Sequence, residues 1–214
     1  AMPKIQLGAV ISASQAWLQR SQRVVSSADK REWTAAALGG CLAELSGGRD
    51  APLLTVAFGL VHQVQQQGEP AAWISSNENT FFPHDVAGGG VDRSALPVIR
   101  LASLQRRLTA IEQLVSSGAF GVVVADLEEC VDLPLAVQTR LAEQALAQNT
   151  LVLCLTVKTD QQPSLGSIVA IRAHARRIQE RDGRFRCQVR AVKDKRYGPD
   201  WVDEEWCCGP TGVR

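Results

Sequence analysis

From residue 41 to residue 157, apolar runs of strand length alternate with amphipathic stretches at helical spacing. Cys41–Leu45 reads as a strand, and Ser46-Gly47-Gly48 as the turn that ends it. Leu53, Val56, Ala57, Leu60, Val61 and Val64 then recur every three or four residues, which places them on one face of a helix. Ala71–Ser75 and Pro97–Leu101 read as further strands. Leu104, Leu108, Ile111, Leu114 and Val115 mark a second helix, closed by Gly118. Phe120–Ala125 and Leu151–Val157 are continuously apolar, as strands buried on both faces are, and Leu135–Leu146 supplies the helix between them. Such alternation predicts an α/β fold: a mostly parallel central sheet flanked by helices.

After residue 166 the period changes. Val169, Ile171, Ala173 and Ala175 alternate with other residues, several polar or charged, as do Phe185, Cys187, Val189 and Ala191. Asp182-Gly183 between the two runs is a hairpin signal. The C-terminal end is therefore expected to be antiparallel, with a short strand near Trp201–Cys207. Before the rhythm starts, Val10, Ala13, Trp17, Val24 and Val25 have helical spacing, and a short helix is expected around residues 31–38. Residues 1–30 are read as an N-terminal helical extension and 31–214 as the core domain.

Charge is unevenly spread. The net charge is +1, yet Arg172 to Arg196 holds ten Lys/Arg against three acids, and the segments on either side are each net −3. Arg172, Arg176, Arg177, Arg190, Lys193, Lys195 and Arg196, with Trp17 on the N-terminal helix, are the candidate partner or DNA interface. The competing reading is the solvated side of outer strands, where charge blocks edge pairing. Only Phe185 and Tyr197 interleave with these charges, so stacking on bases is poorly supported.

Other classes are less favoured. No run of about 18 apolar residues exists, so no membrane-spanning helix is expected. No basic-then-apolar leader occupies the first 30 residues, so a cytoplasmic location with reduced thiols is expected. Cys207 and Cys208 are adjacent, without a second pair at zinc spacing. His62, His174 and the pair His84-Asp85 also lack ligand partners, so no metal is expected.

In an α/β sheet, ligands sit at the carboxyl ends of the strands. The first strand-turn-helix is where a phosphate-binding loop would lie, with the pattern G-x-x-x-x-G-K-[ST]. There, backbone N–H groups wrap phosphate, Lys reaches the outer phosphates and the hydroxyl binds Mg²⁺. This chain reads Gly47-Gly48-Arg49-Asp50-Ala51-Pro52-Leu53-Leu54-Thr55. Pro52 replaces the second glycine and removes an N–H, Leu53 replaces the Lys, and Leu54 the hydroxyl. Asp50 adds a negative charge where phosphate would lie. No nucleotide cofactor and no ATPase activity are expected. The rival view lets Arg49 stand in for the Lys, but that repairs neither the lost N–H nor the added acid.

The order of elements resembles the RecA core, with local matches over roughly residues 35–208. Leu45-Ser46-Gly47 resembles the entry to RecA's phosphate loop. Pro83 and Gly90-Val91-Asp92 resemble a segment ending in Gly-Val-Asp. Phe120–Asp126 resembles the Walker B strand, with Asp126 as its acid. Asn149–Leu153 resembles the entry to the sensor strand, and Val189–Lys195 a late strand whose lysines, here Lys193 and Lys195, reach a neighbouring subunit's nucleotide. Departures accompany these matches. The sensor Gln is Val157, and the catalytic Glu falls at Asn77 or Glu78. Only Leu127–Leu133 replaces the first DNA loop, and about Lys158–Ser167 the second.

This shortened pattern is most similar to the ImuA group of RecA relatives. That resemblance implies a non-catalytic accessory protein of DNA damage tolerance, an adaptor in mutagenic translesion synthesis. Its implied partners are RecA and/or an inactive Y-family polymerase homologue of the ImuB type, with an error-prone C-family polymerase, and weak DNA contact through the basic face. The alternatives are a weak ATPase of DNA repair and a plain DNA-binding module.

Overall fold

The computed structural model describes residues 31–77, 90–129, 132–179 and 185–207. The expected N-terminal helix with Trp17, the pair His84-Asp85, Pro83, Glu78, Asp182-Gly183 and Cys208 lie outside the described residues. In chain order the elements are α1 (Ala35–Leu38), β1 (Leu42–Gly47), α2 (Leu53–Gln66), β2 (Ala71–Ser75), a 3-10 turn (Arg93–Ala95), β3 (Val98–Arg100) and α3 (Leu104–Ser116). They continue with β4 (Val122–Asp126), α4 (Leu135–Gln148), β5 (Leu151–Val157), β6 (Ile171–Gln179), β7 (Phe185–Asp194) and β8 (Val202–Cys207).

All eight strands join one sheet in the order β3-β2-β4-β5-β1-β6-β7-β8. The pairs from β3 to β6 are parallel, and β6–β7 and β7–β8 are antiparallel. The α/β fold expected from periodicity is the fold observed, including the switch to antiparallel pairing after residue 166. The central strands β1, β2, β4 and β5 are buried almost throughout, as their apolar runs require.

Two cores follow from the two faces of the sheet. On one, α1 and α2 cover Ala43, Leu45, Trp73, Val124, Leu153 and Ala173. On the other, α3 and α4 cover Leu42, Ile74, Val123, Ala125 and Val152. Local residues set the helix ends. Thr34 caps α1 through its hydroxyl on the Ala37 N–H. Asn149 ends α4 in the left-handed conformation, φ 52°. Among the described residues no helix is long and apolar enough to cross a membrane.

Trp73 is fully buried in β2, its ring 5.0 Å from that of Phe58 on α2. Trp73→Ala should therefore cost about 3–5 kcal/mol through lost burial and a residual cavity, read as a lower urea midpoint of unfolding.

Candidate functional site

The loop after β1 is shorter than its sequence suggests. Ser46-Gly47, read as turn, belong to β1, and Gly47 pairs with Val157 of β5. Only Gly48 to Pro52 connects strand to helix, and this turn closes on itself. The Ala51 N–H donates to the Gly48 carbonyl at 3.0 Å and the Leu53 N–H to the Ala51 carbonyl at 2.8 Å. The Ala51 methyl stands against the end of β1. A Cβ on Gly47 would lie 2.4 Å from it and 2.9 Å from the Ala175 carbonyl oxygen, so close approach demands glycine there.

The residues from Pro52 to Leu54 serve the start of α2 and its packing. Pro52 is the N-cap of α2 and makes no side-chain cap. Leu53 and Leu54 are half-buried against the α2-side core. Asp50 turns back over Gly48, its Oδ1 2.9 Å from where a Gly48 Cβ would stand. Arg49 points outward and pairs with Glu129 beyond β4, both largely exposed, so the pair contributes little. The N–H groups of Ala51 and Leu53 are thus engaged inside the turn rather than offered to a ligand.

Asp126 ends β4 at 7% exposure. Its Oδ1 accepts from the Glu128 N–H at 3.3 Å, and Arg107 donates from Nη1 to its carbonyl at 3.1 Å. Glu128 adopts φ 55° and receives the Ser76 hydroxyl. In the described contacts Asp126 organises the turn after β4. Asn77 lies just past β2 and is exposed. Among the described residues no three His, Cys, Asp or Glu cluster as metal ligands.

The polar centre of the sheet lies elsewhere, at Glu44 in the middle of β1. Glu44 is completely buried. Its Oε1 accepts from Thr156 Oγ1 at 2.9 Å and lies 3.3 Å from Lys158 Nζ. Its Oε2 accepts from Ser164 Oγ and the Leu165 N–H, both at 2.8 Å, and lies 3.9 Å from Arg172 Nε. Arg172 in turn donates to Ser46 Oγ at 3.2 Å, to the Thr159 carbonyl at 2.7 Å and to the Gln162 carbonyl. Burial pushes Arg172 below its ordinary pKa, and Glu44 opposes that shift. Three hydrogen-bond donors and two cations on Glu44, with the carbonyls that Arg172 holds, therefore strap residues 158–168 onto the sheet. Glu44 and Lys158 escape a motif search. The available signal was a lone acid inside a strand of apolar neighbours.

The basic segment is not one solvated face. Arg172 is 2% exposed. Lys193 donates to the carbonyls of Gly166 and Ser167 at 3.0 and 3.3 Å, and burial, then Lys195, lower its pKa. Arg190 is held by Asp160 at 2.7 Å and Asp200 at 3.2 Å. Arg196 donates to the Ala37 carbonyl at 2.6 Å, so it lies with exposed Lys195 at the end of β7 near α1. Arg176 and Arg177 are exposed further along β6, at the end near the loop after β1. The alternating pattern could not separate these ends, because it reports faces and not positions along a strand.

At that end the sheet opens a polar groove of about 430 Å³. Gly48, Asp50 and Ala51 border it on one side, Thr159 and Asp160 on another, and His174, Arg176, Arg177, Gln188 and Arg190 on the third. His174 is half-buried, and its Nδ1 is buried without a partner. Burial holds its pKa below the usual value. Asp160 opposes this, while Arg172, Arg190 and Arg176 add to it.

No family model matches the chain. It is 34% identical over 122 residues to Protein RecA of Chlorobium limicola, covering 52% of this chain and 35% of the relative. It is 32% identical, again over 122 residues, to Protein RecA of Chlorobium chlorochromatii and of Chlorobaculum tepidum. Over about half its length the chain is RecA-like. It spans about a third of the length of these curated relatives. Its mostly parallel sheet with an antiparallel C-terminal end is consistent with a RecA-like core.

Two outcomes follow for the site. Glu44→Ala leaves Lys158 and Arg172 buried without their carboxylate and should cost about 3–5 kcal/mol, while hydrogen exchange quickens across 158–168. His174, its folded pKa depressed, takes up a proton more readily when unfolded. Stability should fall as pH drops below about 6.5, and His174→Asn should flatten that part of a pH series of thermal melts.

Proposed function

We propose that the chain is a non-catalytic RecA-fold accessory protein of DNA damage tolerance, an adaptor in mutagenic translesion synthesis acting through protein contacts. Its partners on this reading are RecA and/or an inactive Y-family polymerase homologue of the ImuB type, together with an error-prone C-family polymerase, in the cytoplasm. The observation that carries the reading is the self-closed turn between β1 and α2. The Ala51 and Leu53 amides bond within the loop, Ala51 packs against Gly47, and Leu53 joins the core where a lysine would reach phosphate. Binding a triphosphate would require this turn to unpack and expose Leu53. The packing of 158–168 around Glu44 supports the same reading, because a segment held by buried charges is poorly suited to respond to a nucleotide.

The two alternatives find less support. Arg49, the cation of the loop itself, points outward to Glu129, and the Ala51 and Leu53 amides stay bonded inside the turn. A DNA-binding module would gain from a continuous basic face, yet Arg172 and Lys193 are directed inward to backbone carbonyls and Arg190 is paired with Asp160 and Asp200 at the surface.

The test is a titration of the full chain with a fluorescent ATP analogue and Mg²⁺. No binding up to millimolar nucleotide is expected, and micromolar affinity would overturn the reading. Co-purification with RecA or the inactive polymerase homologue should survive removal of all nucleotide.

A further inference from the structure

β6 is longer than the strand beside it. It pairs with β1 only from Ile171 to His174, opposite Ala43 to Ser46. The chain then leaves β1 through the closed turn, while β6 continues to Gln179, backed by β7 and β8 on its other side. Arg176 to Gln179 extends about 13 Å at ordinary strand rise. Among the described residues nothing pairs with this stretch of edge. Its alternate N–H and C=O groups face the groove bounded by Gly48, Asp50 and Ala51. An open edge is a template for another strand.

The side chains beside this edge indicate what kind of strand fits. Arg176 is bonded through Nε to Gln188, which orients the guanidinium. Gln188 is fixed in turn by Glu204. The Arg177 guanidinium lies 3.7 Å above the centroid of Phe185, which holds its plane. Neither arginine has an ion-pair partner among the described residues, in contrast to Arg172, Arg186, Arg190 and Arg196. Two oriented guanidinium groups without carboxylates, next to unpaired backbone, complement an extended segment bearing acids. A nucleic-acid strand fits less well. Asp50 and Asp160 border the same groove and would face its phosphates, and Arg177 already covers the ring of Phe185.

We infer that the free edge of β6 beyond His174 is a docking site for an extended, acidic segment of a protein partner, added as a further strand and held by Arg176 and Arg177. The inference rests on the adaptor reading only in taking a protein as the partner. The edge and its arginines are independent of whether nucleotide binds.

The probes are a fluorescein-labelled peptide of alternating Val and Glu, the same peptide with Lys for Glu, and single-stranded oligothymidylate, each titrated into the full chain. The acidic peptide should bind in preference to the other two and slow hydrogen exchange at residues 176–179. Arg176→Glu with Arg177→Glu should weaken it about tenfold or more, the range for charge-assisted hydrogen bonds, with an unchanged melting temperature. Equal binding of the basic peptide or oligothymidylate would overturn the inference. So would no binding of the acidic peptide, binding indifferent to charge reversal, or no protection of 176–179 in the unmodified chain. Those failures would leave the adaptor reading intact, since the nucleotide titration decides that separately.

Discussion

A buried carboxylate organises the part of this sheet around its central strand. Glu44 sits in the middle of the central strand, where burial of an unpaired charge would cost several kcal/mol. It is tolerated because both oxygens are met, Oε1 by Thr156 and Lys158, Oε2 by Ser164, the Leu165 amide and Arg172. Those partners come from β5, from the segment after it and from β6. One side chain therefore ties three parts of the chain distant in sequence to β1. Removal of Glu44, Lys158 or Arg172 leaves a buried charge without its counter-charge, so these three depend on one another. Lys193 reinforces it from β7 through the Gly166 and Ser167 carbonyls.

The closed turn after β1 and the strapped segment after β5 are neighbours, because β1 and β5 are paired up to Gly47 and Val157, and the Lys158 N–H donates to the Gly47 carbonyl. In a nucleotide-binding protein of this architecture these are the places where phosphate and a responsive loop would meet. Here each is satisfied by the chain itself. Ala51 fits against Gly47, and the strap fits around Glu44. Among the described residues, what stays open at this end is the rim: the β6 edge beyond β1, with Arg176 and Arg177 beside it.

Most of the fold was legible from periodicity. The apolar runs at Phe120–Ala125 and Leu151–Val157 became β4 and β5, the helical spacing from Leu53 became α2, and the period-two pattern after 166 became an antiparallel ribbon. These patterns are local, and burial on one or two faces writes them directly into sequence. The site was less legible. The glycines at 47 and 48 suggested a turn, yet Gly47 is strand, because β5 offers it a partner the local sequence does not reveal. The arginines and lysines of 172–196 read as one basic face. Arg172 instead turns inward to Glu44 and Arg196 towards Ala37, pairings with residues more than a hundred positions away.

The sequence alone determined the α/β layering, the switch to antiparallel strands and the presence of Pro52 and Leu53 at the start of the helix after the first strand. Each is carried by side-chain type and spacing within a few residues. Only tertiary structure decided which charges are spent inside the molecule. Whether a lysine or arginine is a free cation or a buried partner depends on which strand lies beside it. That is fixed by long-range pairing of β1 with β5 and β6, and no local pattern encodes it.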